Sequence, residues 1–213
     1  MGDEEREIES YQEVVRTRAK SFMRDAVGRL GHLLEMRGDN TRAIDFYRHV
    51  VEDGLGDVAH SASRLGYLLE MESDIEGAEE AYCLAIELDD GDICMKSAVA
   101  LGDMLHRERR HLDRATTALS LVANSEHELA SRSGLMLGQI MLEAGEDDKA
   151  ARAFRSVWER SNPNYAPMAA SNLGALLMGT DPRGAVQALR YAVRHGDATV
   201  ARAARASLAR MRA

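Results

Sequence analysis

The chain has 213 residues, 45% of them hydrophobic, and a net charge of −8, enough for one ordinary domain with a sizeable core and no need of staples. Alanine occurs 32 times against ten aromatic residues and three prolines, which favours helices packed through small side chains and disfavours a sheet. Cys83 and Cys94 are too few for a disulfide framework or a four-ligand zinc site, no apolar leader or membrane span is evident, Gly2 lacks a myristoylation context, and the acidic balance argues against nucleic acid or anionic membranes; a cytoplasmic, reduced chain is expected.

In chain order, residues 1–20 predict a lone helix, with Tyr11, Val14 and Val15 at helical spacing, and a 35-residue shift aligns them with Phe46, His49 and Val50. Five helical hairpins are then expected over 21–55, 56–91, 92–126, 127–162 and 163–196, and a closing helix over 197–213. The second hairpin shows the pattern: Ala62, Leu65, Leu68 and Leu69 on one segment, then Ile75, Ala78, Tyr82, Ala85 and Ile86 on the next. Breaks within hairpins fall at Gly38-Asp39-Asn40, Ser73-Asp74, Gly145-Glu146-Asp147 and Thr180-Asp181-Pro182. Between hairpins they fall at Gly56-Asp57, Gly91-Asp92, Asn162-Pro163 and Gly196-Asp197. Glycine stops one helix, aspartate caps the next, and Pro182 suits a first helical position. No linker interrupts this order, so one continuous array is expected.

The hairpins share a signature. Leu-Gly recurs at Leu30-Gly31, Leu65-Gly66, Leu101-Gly102, Leu137-Gly138 and Leu173-Gly174, at intervals of 35, 36, 36 and 36 residues. A second small residue follows each time, namely Ala43, Ala78, Ala115, Ala150 and Ala185, and then a large one: Phe46 and Tyr47, Tyr82, Leu119, Phe154 and Leu189. Glycine inside a helix costs roughly 1 kcal/mol relative to alanine, so five glycines at one position predict a close approach that excludes a side chain. These positions are therefore read as structural.

The spacing resembles the tetratricopeptide repeat, in Leu30, Gly31, Leu34, Ala43 and Tyr47 and again in Leu65, Gly66, Leu69, Ala78 and Tyr82. Departures are present: Val27, Ala62, Ala98, Gly134 and Ala170 stand where the family places tryptophan, late prolines are mostly missing, and the longer period also resembles the Sel1-like branch. The resemblance implies an all-α, right-handed solenoid whose first helices line a concave groove for a partner segment. Carried over position by position, that groove comprises Arg29, His32, Glu35 and Met36; His60, Ser63, Arg64, Tyr67, Glu70 and Met71; Lys96, Asp103, His106 and Arg107; Arg132, Gln139 and Glu143; and Asn172. Cationic and hydrogen-bonding groups form the first rows and Glu35, Glu70 and Glu143 the other side, an arrangement suited to an extended peptide with an acidic end. Gly28 and His32 replace the first pair of the family's carboxylate clamp, which argues against capture of a C-terminal carboxylate. Met36 and Met71 occupy equivalent positions at the ends of first helices and fit either a groove or core filler.

No His-Glu-x-x-His, Gly-x-Ser-x-Gly or phosphate loop occurs, and the seven histidines have no metal-ligand spacing. The expectation is a non-enzymatic scaffold or adaptor with no cofactor, metal or small-molecule substrate. Charge is uneven: Glu70, Glu72, Asp74, Glu76, Glu79, Glu80, Glu87, Asp89, Asp90 and Asp92 occur with no base between them, whereas residues 181–213 hold seven arginines against Asp181 and Asp197. Head-to-tail association of copies is the alternative expectation. Helical-hairpin repeats also include the pentatricopeptide RNA readers, and the acidic second hairpin opposes that reading. Arginine outnumbers lysine 24 to 3, which points to a GC-rich, bacterial genome.

Overall fold

The aspartates that punctuate the sequence act as helix caps. In the computed structural model, Asp39, Asp57, Asp74 and Asp181 each accept from the backbone N–H three residues on, and Asp197 accepts from both Thr199 and Val200. Each satisfies donors that a helix start leaves unpaired. Glu146 makes no such side-chain bond, and the helix that begins near Gly91 is served by Asp89, whose carboxylate accepts from the Cys94 N–H at 3.0 Å. After the third helix Gly54 takes a left-handed φ of 65°, which reverses the chain so that the Leu55 N–H reaches the Val50 carbonyl at 3.0 Å and the Leu55 side chain is buried.

The structure describes residues 3–17, 22–89 and 91–211. Gly2, the last residues of the expected N-terminal helix over 1–20, Asp90 and Arg212 lie outside them. The described residues form twelve α-helices and no strand: α1 Asp3–Arg16, α2 Met23–Met36, α3 Asn40–Asp53, α4 Val58–Met71, α5 Ile75–Leu88, α6 Asp92–Arg107, α7 Leu112–Ala123, α8 Ala130–Glu143, α9 Asp147–Glu159, α10 Ala166–Leu176, α11 Pro182–His195 and α12 Ala198–Arg210. The chain divides into two compact units, Met1–Met104 and Leu105–Ala213, with the division inside α6. In the first, α1 packs on α2, α2 on α3, α3 on α4 and α4 on α5; in the second, α7 to α12 pack in the same consecutive manner and α12 also meets α10. This is the packing of an all-α repeat solenoid, each hairpin burying its apolar face against its neighbours.

In the first unit α1 covers an end of the stack: Val15 is buried with Met23, Ala26, Val27, Val50 and Leu55, and Tyr11, Val14 and Phe46 pack against them. In the second, Phe154, Val157, Leu135, Ala150, Ala169 and Leu173 form one buried cluster, and Leu189, Ala188, Ala192, Ala170, Val200 and Ala204 the next. Trp158 packs on both.

Four of the repeat glycines, Gly31, Gly66, Gly138 and Gly174, face side chains of the second helix of their own hairpin. A Cβ on Gly66 would stand 2.8 Å from the Tyr82 ring, one on Gly138 2.5 Å from the Phe154 ring, and one on Gly174 2.6 Å from Leu189 Cγ; one on Gly31 would collide with the Tyr47 ring. The close approach expected from the sequence is therefore made by a large side chain, sixteen or fifteen residues on, that occupies the space the glycine leaves. Ala43, Ala78, Ala115, Ala150 and Ala185 are wholly buried beside it.

Candidate partner-binding face

The first-helix face of the first unit is built on these glycine seats. Filling the seat at Gly31 brings the Tyr47 hydroxyl to Glu35, donating to Oε1 at 2.7 Å; filling the seat at Gly66 brings the Tyr82 hydroxyl to Glu70, donating to Oε2 at 2.9 Å. The tyrosines are nearly inaccessible, so each phenol would be costly to bury without that acceptor. Burial, reinforced by the neighbouring carboxylate, pushes both phenols well above the ordinary tyrosine range.

Arg64 of α4 reaches back one hairpin to the same carboxylate. Its Nε donates to Glu35 Oε1 at 3.0 Å, its Nη2 donates to Glu35 Oε2, and its guanidinium lies over the Tyr67 ring, 5.0 Å from the centroid. Burial alone would raise the Glu35 carboxyl, but the hydrogen bonds from Arg64 and Tyr47 outweigh it and hold the group below the usual carboxylate range. Its bond to Glu35 raises the Arg64 guanidinium further. Glu35 and Arg64 thus satisfy each other rather than standing as opposite walls of a charged groove.

Around this pair the apolar residues are uncovered. Met36 is 73% exposed, Met71 56% and Tyr67 44%, so the methionines are surface residues and not core filler. His32 and His60 are exposed; Arg29 is exposed beside Asp25 at 3.8 Å, and Ser63 accepts from the Ser97 hydroxyl at 2.9 Å. Lys96 is exposed and pairs with Asp92 of its own helix at 2.7 Å. In the second unit His106 and Glu143 come together, Nε2 to Oε2 at 3.3 Å, with Arg109 at 4.0 Å from the same oxygen. Arg107 and Arg132 are exposed, whereas Gln139 and Asn172 are half-buried, as is Asp103 of the first unit. The groove set therefore splits: Glu35, Arg64 and Tyr67 form a joined cluster, His106 and Glu143 a second, and Arg29 and Lys96 pair within their own helices. The repeat spacing alone marks Tyr47 and Tyr82 as packing residues, and the structure adds their hydrogen bonds to Glu35 and Glu70. Their signal was present, since tyrosine stands twelve residues after a glutamate in both hairpins and Phe154 stands twelve after Leu142.

Among the described residues no group of three or more histidine, cysteine, aspartate or glutamate side chains is placed to hold a metal ion, and no helix is long and apolar enough to cross a membrane. Cys94 is buried and Cys83 half-buried, and neither is in a disulfide. Residues 132–164, which hold most of α8 and all of α9, match the family model described as tetratricopeptide repeat. That stretch is a tetratricopeptide repeat, and the chain as a whole has the fold of solved tetratricopeptide-repeat structures. Solved structures with the same fold include YrrB, described as a TPR protein with an unusual peptide-binding site, at 18% identity and a TM-score of 0.65 over 93% of this chain and 98% of that one. BtubC (BKLC) from P. vanneervenii is similar at 19% identity and a TM-score of 0.59, over 98% and 93% of the two chains. MamA is similar at 22% identity and 0.59, over 78% and 94%. No curated protein matches the sequence. The repeat architecture is that of protein–protein interaction scaffolds.

Proposed function

We propose that this protein is a non-enzymatic adaptor, that its five hairpins over 21–55, 56–91, 92–126, 127–162 and 163–196 with the flanking segments 1–20 and 197–213 form one array, and that the first-helix face of the first unit holds a segment of a partner protein. The observation that carries this reading is the exposure of Met36, Met71 and Tyr67 around a satisfied Glu35–Arg64 pair. Methionine adapts to varied apolar shapes, tyrosine offers a rigid amphipathic surface, and a neutralised ion pair between them adds hydrogen-bonding capacity without a strong net field. A segment with apolar side chains at alternate or helical spacing suits this face better than an acid-ended peptide, because Arg64 already has its carboxylate. The described peptide-binding site of YrrB supports a peptide ligand for this architecture.

The test is selection of a displayed random-peptide library on the full chain. Enriched peptides are expected to be apolar or amphipathic, and their binding is expected to fall at least about tenfold on combined Tyr67→Ala and Met71→Ala replacement, with helix content unchanged by circular dichroism. Equal binding by the variant would place the ligand elsewhere and end this proposal.

A further inference from the structure

The second helices carry a separate pattern that the first-helix face does not use. On α11, Arg183, Arg190 and Arg194 are all exposed, and none pairs with a described acid. At 100° per residue they fall within about 40° of one line, at axial positions of 0, about 10.5 and about 16.5 Å. They line a cleft of about 410 Å³ together with Trp158, Tyr191 and Val186. The Trp158 and Tyr191 rings stand 5.7 Å apart, which gives the cleft a rigid aromatic wall.

The acidic region supplies the counterpart. On α5, Glu76, Glu80 and Glu87 are exposed and also lie within about 40° of one line, but in the reverse order of spacing, with the wide gap toward the C-terminus. Laid antiparallel, the two helices match throughout: Glu87 opposite Arg183, Glu80 opposite Arg190 and Glu76 opposite Arg194. Leu84 falls opposite Val186, and the 52% exposed Leu88 follows the acidic stripe toward Pro182. We propose that α5 of one copy docks antiparallel on the α9–α11 cleft of a second copy, giving a head-to-tail contact between chains. The occupant is a second copy because this chain carries an acidic stripe whose spacing fits the arginines at three successive positions, flanked by the apolar groups an interface core requires. The two surfaces differ, so the contact is heterologous and repeats from copy to copy until it closes into a ring or extends as a filament.

Sedimentation velocity of the full chain over a concentration series, at low and high salt, tests this. Association that rises with concentration and weakens steeply with salt is expected. Arg190→Glu and Glu80→Arg are each expected to weaken it at least about tenfold, and the two combined in one chain to restore it, because the new pair has the same geometry with the charges exchanged. Arg64→Ala with Tyr67→Ala is expected to leave association unchanged, which separates this contact from the first-helix reading. All of these positions are at least partly exposed, and circular dichroism confirms that the variants fold. A wild-type chain that stays monomeric would assign the cleft to a different acidic partner and overturn the proposal. So would association indifferent to Arg190→Glu, a double variant no better than the singles, or loss of association on the first-helix replacement.

Discussion

The hairpins of the two units are built on the same glycine and fill it with different chemistry. In α2–α3 and α4–α5 the seat holds a tyrosine whose hydroxyl is caught by a glutamate of the first helix. In α8–α9 it holds Phe154 and in α10–α11 Leu189, and the position four after each of these glycines is Leu142 or Met178. The packing requirement is common, so the glycine is kept while the large partner changes; the hydroxyl is added only where a carboxylate is present to receive it. The first unit thereby gains fixed glutamates on its first-helix face, and Arg64 builds on one of them. The second unit has an apolar version of the same joint, and its excess of arginine lies on the second helix α11 and the closing helix α12.

The shared part of the comparison predicts the largest effect. Gly66→Ala places a methyl group against the held Tyr82 ring and is expected to destabilise the chain by about 1–3 kcal/mol in urea unfolding, despite the better helix propensity of alanine. Gly28→Ala is the control: nothing lies within 4 Å of its Cβ position, so the same substitution is expected to stabilise by up to about 1 kcal/mol.

The differing part predicts a smaller effect that can be reversed. Phe154→Tyr puts a hydroxyl where Leu142 offers no acceptor and is expected to cost about 1–3 kcal/mol. Adding Leu142→Glu supplies the acceptor at the twelve-residue spacing of the first unit and is expected to recover at least half of that loss in a double-mutant cycle. No recovery would show that the phenol and carboxylate are not a transferable unit.

The smallest effect is a pH dependence confined to the first unit. The folded-state Glu35 carboxyl lies below its ordinary value, so its contribution is fully present above the unfolded carboxylate range near 4.5 and is lost as pH falls through the lowered folded value. Urea titrations from pH 7 down to pH 3 are expected to show a steeper loss for the wild-type chain than for Glu35→Gln, with the two curves converging at the acid end.

Much of the architecture is legible in the residues themselves. Leu-Gly at a constant period, alanine after it and aspartate at each break specify hairpins because each acts through local helix chemistry or through a neighbour at fixed separation. The exposed methionines were legible as equivalent positions, but not as exposed ones, since apolar character alone does not distinguish a core stripe from a binding face. The Glu35–Tyr47 and Glu70–Tyr82 bonds had a visible twelve-residue signal. The Arg64–Glu35 pair had none: it spans 29 residues and depends on how one hairpin rests on the next, which the pattern of either helix leaves open. That pair changes the face most, because it removes a cation that the sequence had presented as available.

Methionine methyl NMR tests the central claim most directly. The chain has 11 methionines spread along its length, so each labelled methyl group reports on its own region. Titration of the full chain with a library-selected apolar peptide is expected to shift or broaden Met36 and Met71 first and leave Met141, Met168 and Met211 unmoved. A response led by Met168 or Met211, with Met36 and Met71 unchanged at saturation, would contradict a partner-binding role for the first-helix face of the first unit.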